Sequence, residues 1–139
     1  MKRVLVSGAT GLIGQEIVKF LLRENEHVIA LVRNIERAES MFGKPTRNLE
    51  YIIGDICDIK PQKMDVDYII HGASQTSSRA FIDEPIETIT TALYGTKNML
   101  EFARINNVKG FVYLSSMEVY GSPLNDLKID EKHETNSNI

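Results

Sequence analysis

The sequence predicts an α/β fold, a doubly wound parallel sheet of about five strands with helices on its faces. Three observations carry that expectation. Apolar runs of strand length, rich in Val, Ile, Leu, Tyr and Phe, lie at 3–7, 27–32, 50–53, 67–71 and 110–115. Segments of helical period separate several of them, and this alternation yields parallel strands joined by crossover helices. Between the first strand and the first helix stands Ser7-Gly8-Ala9-Thr10-Gly11-Leu12-Ile13-Gly14, with three glycines where a strand turns into a helix. In that context the spacing is a Rossmann-type pyrophosphate signature: Gly8 allows the tight turn, Gly11 lets backbone approach phosphates, and Gly14 lets the helix lie close to the strand.

The elements follow in order. In the first helix Ile13, Ile17 and Leu21 recur at i, i+4 and i+8, which puts them on the face toward the sheet. A second helix is expected near Ile35 to Phe42, ended by Gly43 and Pro45. The third strand runs into Gly54-Asp55-Ile56, and the fourth closes on His71-Gly72-Ala73-Ser74. From Glu84 to about Asn106 the positions Ile86, Ile89, Leu93, Leu100 and Ala103 trace an apolar helical stripe, opened by Pro85 at N1 and closed by Asn106-Asn107. Met99 and Phe102 widen that stripe, as core packing or as a helix-to-helix surface. The fifth strand leads to Ser115-Ser116. After Gly121, from Ser122-Pro123 to Ile139, the chain is polar and aperiodic, so the expected organisation is a nucleotide-binding domain over 1–121 and a loop or tail over 122–139. Five strands are one fewer than a complete dinucleotide fold of this type has.

With 139 residues, 42% of them hydrophobic, the chain has material for one core. Sixteen basic against nineteen acidic residues give a net charge of −3 with no long run of either sign, which disfavours nucleic acid as a partner. The apolar stretches are strand-sized and Met1-Lys2-Arg3 leads straight into one, so no membrane span or secretory signal is read and a cytoplasmic location is expected. Cys57 is the single cysteine, which excludes an internal disulfide and a cysteine-rich zinc site; it reads as a packing residue, and no metal site is expected.

The candidate cofactor residues begin with Gly8, Thr10, Gly11, Leu12, Ile13 and Gly14, the turn and first helical turn. Arg33 stands at the tip of the second strand, where an NAD site places the acid that binds the ribose 2′-hydroxyl. Arg33 and Asn34 instead offer guanidinium and amide donors to a 2′-phosphate, which favours NADP over NAD; otherwise Arg33 is a solvated arginine after a strand.

Taken in order, Gly8 to Gly14, Gly54-Asp55-Ile56, His71-Gly72-Ala73-Ser74 and Ser115-Ser116-Met117-Glu118-Val119-Tyr120-Gly121 resemble the extended short-chain dehydrogenase/reductases. More narrowly, the chain resembles the NAD-dependent epimerase/dehydratase family that acts on nucleotide sugars, over nearly all of residues 2–123. The resemblance implies that Asp55 accepts from the adenine amino group while Ile56 packs on the ring; a turn or N-cap role for Asp55 stands beside it. Gly72, Ala73, Ser74 and Ser115 would line the cofactor, and His71 reads as a satisfied packing residue. Ser116 would hydrogen-bond the substrate oxygen that is oxidised, while a tyrosine from a Tyr-x-x-x-Lys, its pKa lowered by the lysine, removes the proton. Hydride then passes to the nicotinamide, leaving a transient keto sugar.

Tyr120 does not fit that base, since Leu124 stands four residues on. The resemblance therefore implies an N-terminal, catalytically incomplete piece of a longer enzyme; the other reading is a short dinucleotide-binding module without chemistry, for redox sensing or docking. Glu118 matches family members that eliminate water or lose a carboxylate, and would move a proton in the keto intermediate, or is an exposed loop residue. Met117 replaces an aspartate of the 4,6-dehydratases, which points toward decarboxylation or epimerisation. Ala92 stands where the family commonly has asparagine. Family dimers form through the helix that 84–106 represents here, so a homodimer is expected, together with self-association or marginal stability.

Overall fold

The computed structural model describes residues 1–121, 128–133 and 135, apart from the side chains of Ser78 and Glu118. Most of the tail expected over 122–139 lies outside the described residues. Five strands form one parallel sheet: β1 (Arg3–Ser7), β2 (His27–Val32), β3 (Leu49–Ile53), β4 (Tyr68–His71) and β5 (Gly110–Tyr113), in the order β3-β2-β1-β4-β5. All five apolar runs are therefore strands. The order reverses at β1/β4, where Ser7 pairs with His71, and there the two strand ends open a crevice at the carboxyl edge.

Each face of the sheet has its own core. Val4, Val6, Val28, Ala30 and Leu49 point toward α1 (Leu12–Arg23) and α2 (Ile35–Phe42), where Val18 and Ala38 meet them. The alternate residues Leu5, Ile29, Leu31 and Ile69 pack on the other face against Ile56, Val66, Met99 and Phe102. Strands buried on both faces read as continuous apolar runs, which is why the central β1, β2 and β4 were legible, whereas the edge strands β3 and β5 leave Ile53, Val112 and Tyr113 exposed.

The first helix departs from expectation in phase. Gly14 and Val18 are its buried residues, with Ile17 and Leu21 partly buried beside them, whereas Ile13 is 60% exposed. Gly14 packs directly on Gly8 and Ala9 of the turn, so α1 meets the core along its Gly14 and Val18 face and Ile13 points outward.

The crossover from β4 to β5 contains α3 (Ser78–Asp83), not read from the sequence, then α4 (Pro85–Thr90), a π turn (Thr91–Gly95) and α5 (Thr96–Asn106). Pro85 opens α4 and Asn107, left-handed at φ 51°, closes α5, as expected. Of the expected stripe, Ile86, Ile89, Leu93 and Leu100 are each at least half exposed, while Ala103 packs on the core beside Met99 and Phe102, which are fully buried. Burial of such side chains is worth about 1.5–3 kcal/mol each, so the Met99/Phe102 face anchors the helix.

The amino edge is pinned by charge. Arg3 lies 3.2 Å from Glu50 and 3.4 Å from Asp65, its backbone N–H donates to Asp67 at 2.8 Å, and Lys109 lies 2.7 Å from Asp67.

Candidate functional site

The glycine turn is a close three-body contact. Gly8 adopts φ +69°, and a Cβ there would stand 2.6 Å from the Gly72 carbonyl and 2.7 Å from Ala73 N. A Cβ on Gly14 would lie 2.1 Å from the Gly8 oxygen. Gly11 is the N-cap of α1 and donates its N–H to Gly8 O at 3.0 Å; the helix has no side-chain cap and no acidic residue in its first turn. Such a terminus presents its backbone N–H groups and the positive end of its dipole to an anion. Leu12 and Ile13 lie exposed on the first turn, lining an apolar groove with Phe20 and Ile70. Thr10 turns its carbonyl outward, where Arg37 Nη2 donates to it at 3.3 Å.

Arg33 and Asp55 come together at the carboxyl ends of β2 and β3. Arg33 is 82% exposed and its Nη1 lies 4.0 Å from Asp55 Oδ2. The other Asp55 oxygen accepts the Cys57 N–H at 2.9 Å, so Asp55 does close a turn while keeping one oxygen outward. Asn34 has a local task as well: its Oδ1 accepts the Arg37 N–H at 2.8 Å and caps α2, leaving its NH2 end for a ligand. Ile56 is only 7% exposed and lies beneath Gly95, where an added Cβ would meet its Cγ2 at 2.9 Å, which leaves little side chain to lie on an adenine ring. Burial raises the Cys57 thiol above its ordinary pKa, opposed by a hydrogen bond with Thr91 and reinforced by the nearby Asp55 and Asp58, the opposite of an activated nucleophile.

Two residues of this corner escaped sequence reasoning. Asn98 Nδ2 donates to the carbonyls of Ile56 and Cys57 at 2.8 and 2.9 Å and so fastens the loop that carries Asp55. Arg37 adds a second guanidinium beside Thr10. The available signal for Arg37 was its position four residues after Arg33, in the first turn of α2; Asn98 carried none, because its partners lie some forty positions away.

At the ends of β4 and β5, Gly72 and Ala73 are partly buried and Ser74 is exposed. Ser115 and Ser116 follow β5 with exposed side chains, and Ser116 O accepts the Val119 N–H at 3.3 Å as the chain enters a 3-10 turn over Met117–Tyr120. The side chain of Glu118 lies outside the described residues. Tyr120 packs edge-on against His133 with ring centres 6.2 Å apart. His71 is 1% exposed with both ring nitrogens partnered: Nδ1 lies 2.7 Å from Ser7 Oγ and Nε2 3.1 Å from Thr96 Oγ1. Burial lowers its pKa. Among the described residues there is no cluster of three or more His, Cys, Asp or Glu suited to a metal, and no helix long and apolar enough to cross a membrane.

Known proteins share this arrangement. Residues 4–138 match the profile of the NAD dependent epimerase/dehydratase family. A UDP-glucuronic acid decarboxylase of Arabidopsis thaliana is 33% identical over 133 residues, 92% of this chain and 29% of that protein. The human dTDP-D-glucose 4,6-dehydratase is 31% identical over 142 aligned residues, covering 94% of this chain and 40% of that protein. Among solved structures, the UDP-glucose 4-epimerase of Bifidobacterium longum in complex with NAD+ and UDP superposes with a TM-score of 0.79 at 28% identity, over 97% of this chain and 43% of that one. The chain thus spans less than half the length of these relatives. A parallel sheet reversing at β1/β4, a glycine turn wedged beneath an uncapped helix, and a profile match over nearly every residue agree: the chain belongs to the NAD dependent epimerase/dehydratase family.

Proposed function

We propose that this chain binds a pyridine dinucleotide across the carboxyl ends of β1, β2 and β4, as the cofactor half of an enzyme that acts on a nucleotide sugar. One observation supports this reading above the others. Gly8 turns left-handed against Gly72 and Ala73 in a space that no Cβ can share, directly beneath the uncapped α1. That cradle suits a pyrophosphate, received by the N–H groups of Leu12 and Ile13 in the first turn of α1, since the Gly11 N–H is held by Gly8 O. Arg33, the NH2 end of Asn34 and Arg37 then face a ribose 2′-phosphate, which favours NADP over NAD. Asp55 receives the adenine amino group, and Gly72, Ala73, Ser74 and Ser115 border the ribose and nicotinamide half.

A nicotinamide cofactor bound there supplies a hydride acceptor for a sugar hydroxyl. Ser116 holds that hydroxyl oxygen and Glu118 moves a proton on the neighbouring carbon. The proton of the hydroxyl itself needs a base, and no tyrosine among these 139 residues has a lysine four positions on. The chain by itself is therefore expected to bind dinucleotide without turnover, with decarboxylation or epimerisation favoured over dehydration for the whole enzyme. We further infer a homodimer through the helices of 84–106, supported by the exposure of Ile86, Ile89, Leu93 and Leu100.

Calorimetric titration with NADP+ and NAD+ tests the reading. Both should bind, NADP+ more tightly. NAD+ binding tighter by about tenfold, or 1.4 kcal/mol, overturns the NADP preference, and binding of neither overturns the nucleotide reading. Measurable epimerisation of a UDP-sugar by the chain alone contradicts the absent base.

A further inference from the structure

The corner where β2 and β3 end has a group for the edge of an adenine ring and, at Ile56, almost nothing for its face. Asp55 is fixed there: one carboxylate oxygen accepts the Cys57 N–H at 2.9 Å, and Asn98 Nδ2 holds the segment behind it by the carbonyls of Ile56 and Cys57. The oxygen left to receive an amino group is Oδ2. Ile56, the residue expected to lie on the ring, is taken up by the core, where it belongs with Met99 and Phe102 and sits under Gly95. Ile53 is exposed, but it alternates with Leu49 and Tyr51 and so turns to the face that carries α1 and α2. The large exposed side chain that remains is Arg33, which extends from the tip of β2 with Nη1 4.0 Å from Asp55 Oδ2.

We propose that Arg33 covers the base: the flat face of its guanidinium lies on the adenine ring while Asp55 Oδ2 receives the ring's amino group. This inference rests on the dinucleotide reading above and deepens it. A ring that donates to Asp55 Oδ2 comes beside the guanidinium that already stands 4.0 Å from that oxygen. A guanidinium is planar and more weakly hydrated than an ammonium, and it stacks on aromatic faces, so it can close over a base at small desolvation cost. The ion pair with Asp55 is exposed on both sides and holds Arg33 only weakly against that movement. The N–H groups on the guanidinium edge stay available to a 2′-phosphate, so covering the base and meeting the phosphate do not compete.

The two tasks of Arg33 can be separated by the choice of ligand and of substitute. NAD+ carries the adenine ring and no 2′-phosphate, so a loss of NAD+ affinity at Arg33 reports the half of the ligand that both cofactors share. Stacking needs a plane, and a plane without charge serves it; attraction to phosphate needs a charge, and lysine supplies that without a plane. Nicotinamide hypoxanthine dinucleotide keeps the face of the base but has an oxygen in place of the amino group that Asp55 receives. It therefore separates a cover on the ring from an effect relayed through Asp55.

The experiment is calorimetric titration of NAD+ and of nicotinamide hypoxanthine dinucleotide into the unmodified chain, Arg33→Ala, Arg33→Lys and Arg33→Tyr. Thermal unfolding of each shows that substitution at this exposed position leaves the fold intact. Arg33→Ala should weaken NAD+ binding about tenfold, as expected for one stacked base. Arg33→Tyr should bind NAD+ within about twofold of the unmodified chain, and Arg33→Lys nearly as weakly as Arg33→Ala. The hypoxanthine dinucleotide should lose affinity by the same factor as NAD+ on Arg33→Ala. Undiminished NAD+ binding by Arg33→Ala overturns the inference. Rescue by lysine equal to that by tyrosine also overturns it, because charge alone is then enough. So does a loss seen with NAD+ and absent with the hypoxanthine dinucleotide, since Arg33 then acts by holding Asp55. In all three cases NAD+ still binds the unmodified chain and the nucleotide reading stands; absence of NAD+ binding by the unmodified chain overturns both.

Discussion

Asn98 donates its amide hydrogens to the carbonyls of Ile56 and Cys57, and the segment it holds carries Asp55 at its start. Both acceptors belong to a crossover without regular structure, so no ladder replaces the lost donors when the amide is removed. At about 1 kcal/mol for each hydrogen bond, Asn98→Ala should lower the unfolding free energy by about 2 kcal/mol, read from the midpoint of a urea titration at unchanged slope. Dinucleotide affinity should fall with it, because Asp55 then samples more than one position. Unaltered stability would mean that Ile56, packed beneath Gly95, holds the segment without help.

Among the elements, α2 links the two halves of the candidate nucleotide site. Asn34 caps it, and the capping bond fixes the first turn so that Arg37 reaches back across to Thr10 on the glycine turn. A guanidinium held there is placed to meet a 2′-phosphate and has little to offer a plain ribose hydroxyl. Arg37→Ala should weaken NADP+ binding about tenfold while leaving NAD+ binding close to its starting value, measured as the ratio of the two Kd values. An unchanged ratio removes Arg37 from the specificity argument and leaves Arg33 to carry it. Elements of this kind divide by how local their signals are. The central strands and the glycine turn were legible because buried parallel strands are continuously apolar and because the left-handed Gly8 and close-packed Gly14 leave their mark within eight consecutive residues. The orientation of the 84–106 run was not, because it has two apolar faces and sequence period cannot say which meets the sheet; the π turn Thr91–Gly95, which lets Gly95 settle on Ile56, changes the phase between them. Ile13 was misplaced for a related reason, since the contact is decided by where Gly14 lets α1 approach. Arg37, Asn98 and the His71 bridge act on partners 25 to 64 positions away, and no local pattern announces such pairs.

For the whole molecule, the decisive feature is how much apolar surface the described residues leave outward. Ile86, Ile89, Leu93 and Leu100 form a row along the 84–106 run, and β5 ends the sheet with Val112 and Tyr113 exposed. A lasting protein interface removes about 800 Å² per partner, and a helix row continued by an open strand edge is a surface of the kind that supplies it. The chain should therefore self-associate, with a sedimentation coefficient that rises across the micromolar range. Replacing Leu93 and Leu100 together by glutamate places two carboxylates where association would strip their water, a cost that apolar contact does not repay. That variant should sediment as a monomer and still bind dinucleotide with its original affinity, because the row lies on the helices of one sheet face while the glycine turn feeds α1 on the other. A monodisperse monomer before substitution would assign the exposed row to a segment of some other chain or to solvent. Association that survives both glutamates would move the contact to the groove beside α1, where Leu12, Phe20 and Ile70 form the other apolar surface.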